Sequence, residues 1–182
     1  MGAIQMRCRY LIAVFVFLAV LATPLQILAS PATNCALPDG LREEVTAKYP
    51  GTHVLTLADL EDYDKKLFRK DFGARCPGLI RVNFYGDGRP TWALVLILGE
   101  GLKQTAELIV ARRSAAMWDM RSLEKSDGAP VVWREGPGKY EGMNDEKPLR
   151  AKNSVVVLCW YGSSTILYAW MGDRVDKVWL LD

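Results

Sequence analysis

Few residues in this chain have the type and spacing that chemistry requires. There is one histidine, His53. A hydrolytic triad needs a histidine beside a nucleophile and a carboxylate, and no glycine-flanked nucleophile elbow is present. His53 is therefore expected to be structural or exposed, and no catalytic residue is assigned. One histidine also falls short of the usual histidine-rich metal sites, and without a CxxC neither a zinc site nor a redox motif is suggested. The stretch Asn83-Phe84-Tyr85-Gly86-Asp87-Gly88 invites comparison with calcium loops, which need oxygen ligands at alternate positions and a glycine at the bend. Its alternate positions are Asn83, Tyr85, Asp87 and Arg89, and only Asn83 and Asp87 offer good oxygens. Asp87-Gly88 is accordingly expected to make a tight hairpin turn, and a calcium-stabilised domain at the Asn83–Thr91 turn is kept as an alternative. A carboxylate-based hydrolase using Asp119 and Glu141 is the other alternative, without any spacing to support it. No metal and no cofactor is expected.

What remains is an aromatic and cationic surface. Trp92, Trp118, Trp133, Trp160, Trp170 and Trp179 could line a binding face or fill a core. Most lie in apolar strand-like runs, where core filling is the expectation. Trp133 borders a glycine-rich stretch and is the candidate for exposure. Arg112, Arg113 and Arg134 could rim a binding site with it.

The elements that must position these residues follow from the order of the chain. Arg7 and Arg9 precede an almost wholly apolar run, Tyr10 to Ala22, and small residues follow at Ala29, Ser30 and Ala32. That is the layout of a secretory signal peptide. The apolar run is short for a membrane span, which needs about 20 residues. Residues 1–32 are read as the signal and 33–182 as a single domain, with a cut after Ala29 as the other option. Asn34 before Cys35 argues against a lipid-modified cysteine. The chain holds 23 Lys+Arg and 21 Asp+Glu, and of these the signal holds only Arg7 and Arg9, so the mature part carries 21 of each sign. A neutral surface exerts no long-range pull on phosphate backbones, which excludes nucleic acid as an expected partner. No membrane contact is expected after cleavage, and the location is secreted or periplasmic.

Export means oxidising conditions. Cys35 and Cys76 both lie beside turn chemistry and are expected to pair. Cys159 sits in the apolar run Val155 to Trp160 and is expected to behave as a small hydrophobe.

Leu41, Val45 and Tyr49 recur every four residues, which predicts a helix over Asp39–Tyr49, stopped by Pro50-Gly51. Thr52–Leu57 reads as a strand. Within Ala58–Phe72, Leu60, Tyr63 and Leu67 could form a short helical face, with a loop as the alternative. Ile80–Phe84, Trp92–Leu98 and Thr105–Arg113 read as a meander, and the apolar middle strand must be covered on both faces. Met117–Lys125 and Val131–Trp133 read as strands, Arg134–Arg150 as a long surface loop, and Ser154–Tyr161, Thr165–Met171 and Arg174–Leu180 as the last three strands. The fold class is α+β: an N-terminal helix packed on a curved, mainly antiparallel sheet of about seven strands.

The motifs KYPG, LADL and CPGLIRVNFYGDGRPTWALVLI resemble a set of uncharacterised secreted bacterial proteins. Their pattern is a Tyr-Pro-Gly after the first helix, an Asp-Leu, and a gDFdGDGxxDyAlll hairpin. Ser163-Ser164, Tyr168-Ala169-Trp170 and Val178-Trp179 are similar to their final hairpin. Asn83, Tyr85 and Thr91 stand here where that pattern has acidic residues. The resemblance implies export and a small α+β domain, and no activity. The expected function is a non-enzymatic binding or structural domain of the bacterial envelope. Its partner would be a protein, in an inhibitor- or immunity-like role with the Gly136–Arg150 loop in contact, or an envelope polymer.

Overall fold

The structure, a computed structural model, describes residues 35–180 apart from Ala116 and residues 144–146. The signal-peptide reading of residues 1–32 lies outside the described residues. The described part is α+β, but its strands do not form one curved sheet. They form a five-stranded sheet, a four-stranded sheet and a separate two-stranded hairpin.

The first helix, α1 (Leu41–Lys48), begins after the Pro38 turn, where the Leu41 N–H donates to the Pro38 carbonyl. Glu43 and Glu44 in its first turn and Lys48 in its last complement the helix dipole. Leu41 and Val45 are its buried residues. A short strand β1 (His53–Val54) leads to α2 (Asp62–Phe72), longer than the expected helical face. Its buried residue is Phe68, with the partly buried Phe72 one turn on, while Tyr63 is 65% exposed. The charged sequence hid this face because its aromatic spacing starts only at Phe68.

The five-stranded sheet contains β1, β2 (Leu79–Val82), β3 (Thr91–Leu98), β4 (Thr105–Ser114) and β5 (Met117–Asp127). All its pairings are antiparallel. β4 lies along one edge of β3, and β1 and β2 share the other. Val95 is where they hand over: its carbonyl accepts from Leu55 N–H at 2.9 Å and its N–H donates to the Gly78 carbonyl at 2.9 Å. The four-stranded sheet has the order β11 (Val175–Leu180), β10 (Ser164–Trp170), β9 (Val155–Trp160), β6 (Val131–Glu135). The stretch expected as a loop, Arg134–Arg150, instead holds the end of β6 and the hairpin of β7 (Gly138–Tyr140) and β8 (Leu149–Ala151).

Alternation sorts the side chains into layers. Ala93, Val95 and Ile97 of β3 join Leu108, Val110, Val156, Leu158, Ile166 and Tyr168 in the core between the sheets. Leu94 and Leu96 point the other way, into a cluster with Leu41 and Val45 of α1. The expected double cover of β3 is thus present. On the far face of the second sheet, Val155, Val157, Leu167 and Ala169 pack with Leu149 and Ala151 of the hairpin. β9 is apolar on both faces for the same reason as β3.

Two polar devices tie these layers. Cys35 and Cys76 form a disulfide, as expected, with Cα atoms 5.1 Å apart. It closes a separation of 41 residues, and in the chain-entropy description such a loop contributes about 4 kcal/mol. Cys159 is buried and takes no part in a disulfide. Between the sheets, Glu124 of β5 accepts from the Tyr168 hydroxyl at 2.7 Å and from Lys177 Nζ at 2.8 Å. Burial alone would raise the Glu124 pKa, but the bonds from Lys177 and Tyr168 and the Lys177 charge hold it below the ordinary range. Burial and the same carboxylate push the Tyr168 hydroxyl up, so it remains a donor.

Two outcomes follow. A Cβ on Gly78 would meet the Leu55 carbonyl oxygen at 2.5 Å and Leu55 Cβ at 2.6 Å. Gly78→Ala should lower unfolding free energy by about 2 kcal/mol, while Gly136→Ala, with open space around it, should change it by less than about 0.5 kcal/mol; urea denaturation reads both. For Glu124, the folded pKa lies below the unfolded one, so the clasp stabilises fully above the ordinary glutamate value of about 4.3 and its contribution is lost as pH falls through the lower folded value. Glu124→Gln should flatten the decline in denaturation midpoint between about pH 5 and 3.

Candidate functional site

The C-terminal end of α2, the disulfide loop, β2 and β6 enclose an open groove of about 480 Å³. Local sequence explains how each wall arrives. The Gly73 turn ends α2 and brings Arg75 and Cys76 to the start of β2. The Val132 N–H donates to the Pro77 carbonyl at 2.8 Å, which fastens β6 beside β2. Phe68, Phe72 and Trp133 make an aromatic wall, with ring centroids 5.0 Å apart for the two phenylalanines and 5.5 Å for Phe72 and Trp133. The Trp133 indole N–H donates to Glu135 at 3.0 Å, which fixes the ring.

Three arginines rim this wall: Arg75, Arg81 and Arg134. All are exposed, and among the described residues none has a carboxylate within 4.0 Å. Arg134 is nevertheless held, because its guanidinium donates to the Arg81 carbonyl at 3.3 Å. Among the described residues Glu135 is the one carboxylate lining the groove, and it accepts from Trp133.

Of the four expected contact residues, Trp133 and Arg134 line this groove and Arg112 and Arg113 do not. Arg112 stacks on Tyr85 at 4.2 Å and pairs with Asp87 at 3.6 Å and Asp119 at 3.3 Å. It pins the Gly-Asp-Gly turn to β5. Arg113 is exposed on β4 opposite Trp118. Arg75 and Arg81 were missed. In the sequence Arg81 is simply the polar position of an alternating strand, and only β6 packed beside β2 gives it neighbours.

Trp92, Trp118, Trp133, Trp160 and Trp170 pack partly buried against the core, as the strand pattern suggests, while Trp179 is 37% exposed. Trp160 and Trp170 end their strands, and an indole N–H needs a partner, which Trp160 finds in the Asp127 carbonyl at 3.1 Å.

The residues of the alternative readings are occupied. Asp87 bonds Arg112 and accepts from the Arg89 N–H at 3.0 Å, and among the described residues no group of three or more His, Cys, Asp or Glu is gathered for a metal. Asp119 pairs with Arg112, and Glu141 pairs with Lys139 on the β7–β8 hairpin.

A second groove, about 900 Å³ and open, is lined by His53, Asp59, Glu61, Tyr63, Asp64, Trp160 and Tyr161 among others. His53 Nε2 lies 2.8 Å from Asp59. Burial opposes ionisation of Asp59, but the bonds from Thr56 and His53 hold its carboxyl below the usual range. The pair therefore has its histidine oriented. Among the described residues no serine or cysteine lines this groove, so the described lining gathers no nucleophile for a triad.

Removing the Arg112 pin should be visible in stability alone. Arg112→Ala should lower unfolding free energy by about 1 kcal/mol, the scale of one cation–π contact with partly exposed ion pairs. Calcium should leave the melting temperature unchanged in both proteins, since the Asp87 carboxylate is already bonded within the chain; a calcium-dependent rise would restore the metal reading.

Compared with protein families, with curated proteins and with solved structures, the chain matches none.

Proposed function

We propose that this chain is an exported, non-enzymatic binding domain of the bacterial envelope, and that its partner is held in the Trp133 groove. The observation that carries this is the set of exposed guanidinia, Arg75, Arg81 and Arg134, without carboxylate partners among the described residues, around a fixed aromatic wall. What distinguishes these three is the aromatic wall they share, whereas Arg112, Arg174, Lys125, Lys139 and Lys177 each sit beside a carboxylate. Unmatched donors beside aromatic area are what a contact surface needs, because both gain on meeting a partner. The disulfide and the antiparallel core are compatible with life outside the cytoplasm. Among the described residues no helix is long and apolar enough to cross a membrane.

A photo-crosslinking phenylalanine analogue at Phe72 tests this in native envelope extract. It should yield a saturable adduct that unlabelled protein competes away and Trp133→Ala weakens. The same analogue at Tyr63, in the other groove, should not yield that adduct. Equal labelling from both positions would remove the groove from the proposal.

A further inference from the structure

We infer that the Trp133 groove takes an extended acidic peptide segment with an apolar side chain between its carboxylates. This rests on the binding role proposed above and goes further by naming the chemistry of the occupant.

The guanidinium fork sets the first requirement. Arginine presents planar, paired N–H donors that match the two oxygens of a carboxylate or phosphate. Arg75, Arg81 and Arg134 come from three separate elements, the loop after α2, β2 and β6. They reach one groove from three segments of the chain. An elongated ligand with several negative groups gives each of them a partner. Glu135 accepts from the Trp133 indole and keeps its charge, but among the described lining residues three guanidinia face this one carboxylate.

The wall sets the second requirement. Phe68, Phe72, Ile80, Val132 and Trp133 present carbon rather than polar atoms. A ligand that only carried phosphates, such as a phosphodiester polymer, would satisfy the arginines and leave this wall wet. A peptide can do both, because successive side chains of an extended segment point to opposite sides and one apolar residue can face the wall between two acidic ones. The groove volume of about 480 Å³ falls at the lower end of the range of about 300–1,000 Å³ typical for ligand pockets. It suits one or two anchoring side chains and the backbone between them.

The groove is also prepared in advance. The disulfide anchors the loop that carries Arg75. The Val132–Pro77 backbone bond and the Arg134–Arg81 contact hold β6 against β2. Trp133 is fixed by Glu135 and Phe72. Little ordering remains to be done on binding, which favours affinity from a small contact.

The test uses fluorescence anisotropy with labelled synthetic hexapeptides on the disulfide-bonded mature protein. One probe has a central Leu-Phe pair flanked by Asp and Glu. A second replaces the acids by Lys, and a third replaces Leu-Phe by Ser-Gly. The acidic Leu-Phe probe should bind saturably and more weakly as sodium chloride is raised. The other two should bind at least about tenfold more weakly, the scale of losing one anchor or a close charge pair. The double charge reversal Arg81→Glu with Arg134→Glu should lose the acidic probe and gain the Lys probe, a swap that a merely damaged protein cannot produce; near-UV circular dichroism checks that it has folded. Equal binding of all three probes, no binding of the acidic one, or loss without the swap would each overturn the inference. So would tighter binding to phosphatidylglycerol vesicles than to the acidic peptide, which would assign the groove to a lipid surface. If crosslinking at Phe72 captures a partner while the acidic probe fails to bind, the occupant is wrong and the binding role stands.

Discussion

The backbone of Val95 decides how this fold is assembled. A β-strand has two edges, and each residue offers its N–H and carbonyl to one of them. At Val95 the two groups serve different segments: the carbonyl receives Leu55 and the N–H reaches Gly78. The chain between those segments, including the whole of α2, is therefore an excursion that leaves the edge of β3 and returns to it. The return is close enough that Gly78 has no room for a side chain against the Leu55 backbone. The two sulfur atoms of the disulfide approach the same Leu55 carbonyl, each 3.7 Å from it. One short stretch of β3 edge thus fixes where α2 ends, where Cys76 lies, and where β2 begins.

The Trp133 groove is a consequence of that return. α2 must end near the start of β2, so Phe68 and Phe72 reach the place where β2 meets β6. β6 enters because its other edge is taken by β9, in register from Val131 opposite Cys159 to Glu135 opposite Val155. Two sheet margins belonging to different sheets then run side by side with one backbone bond between them, from Val132 to Pro77. Beyond that bond the polar positions of each strand project outward, and Arg81 and Arg134 are among them. Side chains that solvate a strand edge in isolation become the rim of a recess when two margins converge.

Local pattern made much of this legible. The double-sided apolar run from Trp92 to Leu98 could only be an interior strand, and Cys35 and Cys76 were identifiable from their turn settings. The two-sheet arrangement was not legible, because β6 pairs with β9 across the β7–β8 hairpin and no feature of Val131–Trp133 points to that partner. The hairpin itself was masked by glycine, proline and charge; its strands are only three residues each and gain stability by packing Leu149 and Ala151 on the second sheet. Five of the six tryptophans pack against the core without full burial, for a related reason. A strand pattern assigns a residue to a face, but a strand's last residue, such as Trp160 or Trp170, has neighbours on one side only.

Arginine chemistry shows where sequence reading of a site must stop. Arg112 and Arg134 look equivalent as single residues, each in or beside a strand and each near an aromatic side chain. Their roles diverge through partners that lie far away in the chain. Arg112 meets Tyr85, Asp87 and Asp119, and its charge is answered within the fold. Arg134 meets a backbone carbonyl, which orients the guanidinium without neutralising it. A carbonyl takes one of the five donors of the fork and leaves the positive charge and the remaining donors directed outward. Orientation without neutralisation is the condition under which a surface arginine can recognise a separate molecule. It can be recognised only once the groups within 4 Å of each guanidinium are known, because neither residue type nor position along a strand encodes it.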